Sequence, residues 1–246
     1  MTPTAAPARA KFRKRDRPFW TWAIYKSFQV LMTSYFALRY GFRSTGRKQI
    51  PPEGGMLLVS NHLSHLDVII LGATTPRPLN FVARSTLFVF PIKRMIVALG
   101  AFPIRREGMG AEGLKETLRR LRAGGIVTLF PEGSRSRDGA LGPLKSGIGM
   151  LASRSKVPIV PVVIAGAFQA WPRSAKHPHP HPIRVHYGRP IDPSELVGVP
   201  ADAVADLLRT RLLECAVIAQ AALERDLGGA SLATREIEVG QSGNLD

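Results

Sequence analysis

Five short apolar runs, at residues 56–60, 79–83, 101–104, 126–130 and 159–165, constrain the fold of this chain more than any other feature. Runs of this length, rich in branched side chains and bounded by turn residues, suit buried strands. Between and beside them, residues 68–73, 91–99, 110–122 and 145–154 carry helical patterns. Such alternation predicts an α/β fold, a largely parallel sheet flanked by helices. Residues 184–188 add a further strand. Residues 201–227 read as a long amphipathic helix with Val204, Leu207, Leu208, Leu212 and Val217 toward the core. In sheets of this kind, reactive groups gather beyond the carboxyl ends of the strands.

The first run ends in Ser60-Asn61-His62-Leu63-Ser64-His65-Leu66-Asp67. Five residues separate His62 from Asp67, so a continuous helix would place them on different faces, and they meet only if the chain turns between them. A carboxylate on one imidazole nitrogen fixes the tautomer and frees the other nitrogen to take a proton from a hydroxyl. The same residues also suit a plain turn, with Asn61 and Ser64 shaping it and Asp67 capping the next helix.

Two other strand ends are chemically furnished. Phe130-Pro131-Glu132-Gly133-Ser134-Arg135-Ser136-Arg137 offers close backbone approach, a hydroxyl and planar guanidinium donors suited to phosphate. Gly100-Ala101-Phe102-Pro103-Ile104-Arg105-Arg106 ends in two more arginines. Together they suggest activation of a hydroxyl on a phosphorylated substrate.

Taken in order and spacing, His62 with Asp67, the stretch from Gly100 to Arg105, Phe130 through Arg135, and Val160-Pro161-Val162 resemble the four motifs of the glycerolipid acyltransferases, closest to the lysophosphatidic acid acyltransferase branch. The resemblance implies that His62 deprotonates the sn-2 hydroxyl of 1-acylglycerol 3-phosphate while Asp67 orients it; the alternative is the same mechanism on another lysolipid, an aminolipid or a glycolipid acceptor. The acyl donor would be a thioester of CoA or acyl carrier protein, and neither a metal nor a cofactor would be needed. Arg105, Glu132, Gly133, Ser134 and Arg135 inherit acceptor binding by position, with Asn61 and Ser64 in support. Glu132 would repel a phosphate, so a substrate hydroxyl or an arginine is its expected partner. Arg84 stands where the family often carries Lys, and His65 is read as a bystander. The lone Cys215 falls on a predicted core helix, and no Gly-x-Ser-x-Gly elbow is present, in keeping with direct transfer.

A formal net charge of +16 calls for a polyanionic partner. No zinc finger or RNA-recognition motif accompanies the charge, which favours an anionic membrane surface over nucleic acid. Residues 1–17 read as a basic disordered arm. Residues 18–48 read as an aromatic-rich helical segment docking at the membrane interface, since charges interrupt any full crossing. Residues 49–227 form the predicted acyltransferase domain and 228–246 a disordered tail. The expected location is the cytoplasmic face of the cell membrane, peripheral or monotopic.

Two rival patterns need weighing. Gly108, Gly110 and Gly113 spell Gly-x-Gly-x-x-Gly before a predicted helix, imitating a dinucleotide-binding fingerprint. The run leading into it contains Pro103 and two arginines, unlike a central buried strand. His177, His179 and His181 alternate with prolines, a pattern that extends the backbone rather than gathering ligands on one ion. A non-catalytic membrane adaptor would account for the charge but not for the furnished strand ends.

Overall fold

A computed structural model describes residues 19–84, 100–104, 110–145 and 147–228. In chain order these form α1 (Phe19–Tyr40), β1 (Arg43–Thr45), β2 (Met56–Ser60), α2 (Leu66–Thr74), β3 (Leu79–Arg84), β4 (Ala101–Ile104), α3 (Gly110–Arg122), β5 (Ile126–Leu129), α4 (Gly147–Ser155), β6 (Ile159–Ala165), α5 (Ala167–Ala170), β7 (Arg184–Tyr187) and α6 (Ala201–Asp226). The predicted helix at 91–99 lies outside the described residues, as do the arm at 1–17 and the tail beyond 228.

Seven strands make one sheet in the order β1-β7-β6-β2-β5-β3-β4. From β6 to β4 the neighbours run parallel, whereas β7 runs antiparallel to β6 and β1 runs parallel to β7. The largely parallel sheet expected from the sequence is therefore present, with two strands reversed at one edge. Every residue of β2, β5 and β6 is buried, which is why their sequences read as unbroken apolar runs rather than as alternation.

Successive residues of β2 face opposite ways. Met56 and Leu58 pack with Ile70 and Leu71 of α2 and Phe36 and Tyr40 of α1, while Leu57 and Val59 pack with Leu121, Leu151, Leu208 and Leu212 of α3, α4 and α6. Two cores thus sandwich the sheet, each buried leucine contributing about 1.5–3 kcal/mol. Val217, expected in the second core, is 70% exposed. The buried stripe of α6 instead runs through Val204, Leu208, Leu212, Cys215, Ala219 and Leu223, and Val217 falls on its far side.

Polar side chains of α1 fasten it to the carboxyl end of α2. The Gln29 side-chain amide donates to the carbonyls of Gly72 and Thr75, Thr33 to that of Ala73, and Lys26 to that of Pro76. These are carbonyls that a helix end leaves without partners of its own. The helix then ends at Gly41, whose φ of 49° lies in the left-handed region. No helix among the described residues is long and apolar enough to cross a membrane. The outer face of α1 nevertheless exposes Val30, Leu31, Tyr35 and Leu38.

Candidate active site

β2 lies between β6 and β5, so the chain leaving it emerges at the middle of the sheet, beside the chain leaving β5. Asn61 controls the exit. Its amide donates to the Ile164 carbonyl and accepts from the Ile164 N–H, both at 2.9 Å, adding one side-chain rung to the β2/β6 ladder. The backbone then turns.

That turn brings His62 and Asp67 together. Asp67 sits in the first turn of α2, wholly buried, and its Oδ2 accepts from the Leu63 and Ser64 amides at 2.7 and 2.8 Å. The same oxygen lies 2.8 Å from His62 Nδ1. Asp67 does not cap α2, whose N-cap is His65 with no side-chain cap bond; its carboxylate instead closes the preceding turn and contacts the histidine. Because Oδ2 is an acceptor, Nδ1 carries the proton and Nε2 is left as the basic nitrogen. The His62 side chain retains 20% exposure, so a ligand can reach it. Ser64 locks the turn from the other side, its hydroxyl donating to the Trp171 carbonyl at 2.9 Å and accepting from the Leu66 amide at 3.2 Å.

The loop after β5 closes over the other face of His62. The Phe130 ring stacks on the imidazole with centroids 4.1 Å apart and planes 19° from parallel. The His62 carbonyl accepts from the Ser136 N–H at 2.7 Å. Glu132 joins the two loops: Oε1 accepts from the His62 N–H and Oε2 from the Gly142 N–H, both at 2.9 Å. Burial pushes the Glu132 carboxyl above its ordinary pKa, while the two amides, Gly142 first, pull it back. The hydrogen-bond donors to Glu132 among the described residues are thus the two backbone amides. Gly142 approaches so closely that a Cβ there would lie 3.1 Å from Glu132 Oε2.

Gly133 and Ser134 stand exposed at the tip of this loop, and Arg135 is half-buried beneath them with one buried guanidinium nitrogen, Nη1, lacking a hydrogen-bond partner among the described residues. Burial first, and the charge of Arg173 second, hold the Arg135 guanidinium below its ordinary pKa. His65 is exposed and packs on Trp171 with ring centroids 5.2 Å apart. Its pKa is lowered by burial, then by Arg135 and His62. Arg105 lies outside the described residues, as does the side chain of Arg84.

Phe130 and Ser136 stood within the 130–137 stretch but were given no role by sequence reasoning, and Gly142 was not singled out at all. The competing patterns fare differently. Gly110 and Gly113 open α3, but the strand before them, β4, is the outermost of the sheet, with no crevice between diverging neighbours to hold a dinucleotide. Among the described residues no group of histidines, cysteines and carboxylates could hold a metal ion. Cys215 is buried, and burial pushes its thiol up to about 11.

A polar turn at the centre of a largely parallel sheet thus holds a buried carboxylate on a histidine. Residues 41–165 match the family model described as Acyltransferase, and the chain belongs to that family. It is 27% identical over 198 residues to the 1-acyl-sn-glycerol-3-phosphate acyltransferase of Bacillus subtilis, a match covering 78% of this chain and 96% of that one. It is also 31% identical over 160 residues to the chloroplastic 1-acyl-sn-glycerol-3-phosphate acyltransferase BAT2 of Brassica napus, a match covering 63% of this chain and 45% of the plant protein. The chain thus spans about half the length of the plant relatives it matches. The fold is that of the 1-acyl-sn-glycerophosphate (LPA) acyltransferase PlsC from Thermotoga maritima, with a TM-score of 0.71 over 84% of both chains at 22% identity.

Proposed function

We propose that this chain transfers a fatty acyl group from acyl-CoA or acyl carrier protein to the sn-2 hydroxyl of 1-acylglycerol 3-phosphate, giving phosphatidic acid. The observation that carries this reading is the Asp67–His62 pair, with Nδ1 occupied, bonded through Glu132 and Ser136 to the loop that carries Gly133, Ser134 and Arg135. His62 Nε2 takes the proton from the acceptor hydroxyl as its oxygen attacks the thioester carbonyl. The tetrahedral adduct collapses, the C–S bond breaks, and the departing thiolate recovers the proton from the imidazolium. Asp67 holds the ring in the correct tautomer and stabilises its cationic form, a form of catalysis contributing roughly 10²- to 10⁴-fold.

No acyl-enzyme is needed, and no cofactor or metal enters this chemistry. Arg135, with Arg105, answers the acceptor phosphate; Gly133 and Ser134 let the headgroup approach the backbone. Glu132 serves the site by fixing the His62 amide, while Asn61 and Ser64 set the turn. Long acyl chains hold the substrate in a bilayer, at about 0.8 kcal/mol per buried methylene, so the enzyme works at the surface. The exposed Val30, Leu31 and Leu38 of α1, beside Arg39 and the basic segment before it, supply the contact with an anionic leaflet. On this reading the protein acts at the cytoplasmic face of the membrane as a peripheral or monotopic enzyme.

The test is transfer of labelled acyl chains from each donor to lysophosphatidic acid carried in anionic or neutral vesicles. Phosphatidic acid newly acylated at sn-2, formed faster on anionic vesicles, is expected. Inactivity with both donors would remove this acceptor and send the search to other lysolipids.

A further inference from the structure

The loop after α5 brings a second guanidinium to the site from a part of the chain that carries no family motif. Residues 172–175 form a tight turn in which the Ala175 N–H donates to the Pro172 carbonyl at 3.1 Å, placing Arg173 at its tip. The turn is braced on both sides. The Trp171 indole donates to the Ala175 carbonyl at 3.0 Å, the Ser64 hydroxyl donates to the Trp171 carbonyl at 2.9 Å, and His65 packs on the Trp171 ring. Arg173 is thereby tied to the same turn that positions His62.

The charges there are unbalanced. Neither Arg135 nor Arg173 forms an ion pair among the described residues, and a buried nitrogen of Arg135 has no hydrogen-bond partner there. Arg173 lies close enough for its charge to act on Arg135 and depress its pKa further than burial alone. The Arg173 loop is bound to the 62–65 turn through Trp171, and the Arg135 loop is bound to it through the Ser136 N–H on the His62 carbonyl, so two like charges flank one turn; this is a cost to the empty protein that a doubly charged anion between them removes.

We propose that Arg173 is a further phosphate-binding residue, in addition to the motif arginines, and that with Arg135 it makes the acceptor subsite selective for a phosphate monoester over a lysolipid whose phosphate carries a further headgroup. The inference rests on the acyl-acceptor reading given above and extends it to the headgroup. A monoester presents three free oxygens and close to two negative charges at neutral pH, enough for two guanidinium forks. An esterified phosphate presents one charge and fewer oxygens.

The experiment compares wild type, Arg173→Gln and Arg173→Lys with lysophosphatidic acid and with lysophosphatidylglycerol, alongside calorimetric titration with glycerol 3-phosphate. Arg173 is exposed, so the variants fold as wild type does. Arg173→Gln is expected to raise KM for lysophosphatidic acid roughly tenfold or more with little change in kcat, to leave lysophosphatidylglycerol within about twofold, and to weaken glycerol 3-phosphate binding in parallel. Arg173→Lys falls between. Unchanged KM for lysophosphatidic acid, or an equal rise for both acceptors, would overturn the proposal. Should wild type fail to acylate lysophosphatidic acid, the acceptor reading falls, and the titration alone decides Arg173. Weaker glycerol 3-phosphate binding in Arg173→Gln then supports the subsite; equal binding, or none by wild type, removes it.

Discussion

At the residue scale, Glu132 shows how one carboxylate can tie two loops together. It lies 70 residues from His62 in sequence, yet accepts that residue's N–H and the N–H of Gly142 with its two oxygens. Glutamine has one acceptor oxygen and turns an N–H₂ toward an N–H, so Glu132→Gln loses a bond and gains a clash. The expected costs are about 1–3 kcal/mol of stability and a fall in turnover as His62 loses its brace. The pH dependence has a definite sign. Burial raises the folded pKa of Glu132 above 4.5, so its linked stability is fully present below that value and is lost as pH rises through the folded pKa. Urea midpoints should therefore show the wild-type advantage over Glu132→Gln shrinking as pH rises through this window; an advantage that grows would contradict the assignment. This brace was not legible in the sequence, because His62, Phe130, Ser136 and Gly142 meet only through strand order. The His62–Asp67 pair was legible as a possibility, since spacing shows that a turn is required but not that one forms.

At the element scale, periodicity located what is buried and missed what is merely paired. α3, β2, β4 and β6 fall where their apolar patterns place them. β1 does not, because Arg43-Ser44-Thr45 has no apolar residue and is a strand only through pairing with β7. Four-residue α5 is too short for a helical period to register. The packing of α6 on the sheet also depends on a residue that sequence leaves silent. A Cβ on Gly188 would come within 2.3 Å of Cys215 Sγ and 3.0 Å of Pro161 Cγ. Gly188→Ala should then destabilise the protein by about 1–3 kcal/mol, the usual cost of overpacking. Adding Cys215→Ala should recover part of that loss in a double-mutant cycle, because it removes the nearest obstruction. Strict additivity of the two changes in urea unfolding would show that the helix and strand do not compete for this space.

For the molecule as a whole, the sandwich explains why chemistry collects where it does. Helices cover both faces of the sheet, so access is left at the strand ends, and β2 between β6 and β5 sets His62 at the centre of that end. Fold class was open to sequence reasoning through the alternation of apolar runs with helical patterns, and the family resemblance through short motifs at strand ends. The direction of β7 and β1, and the inward path of the 172–175 turn, depend on long-range pairing and were not. In the proposed mechanism one imidazole carries the proton, and no other described residue is offered in its place: Cys215 of α6 is buried in the core beneath that helix, and His65 has no carboxylate hydrogen-bond partner among the described residues. The most direct test is the acyl-transfer rate of His62→Ala with lysophosphatidic acid, with its melting transition recorded to establish folding. A folded variant slowed by about 10²- to 10⁴-fold is the predicted result; a folded variant that keeps wild-type activity within a few-fold would contradict the account.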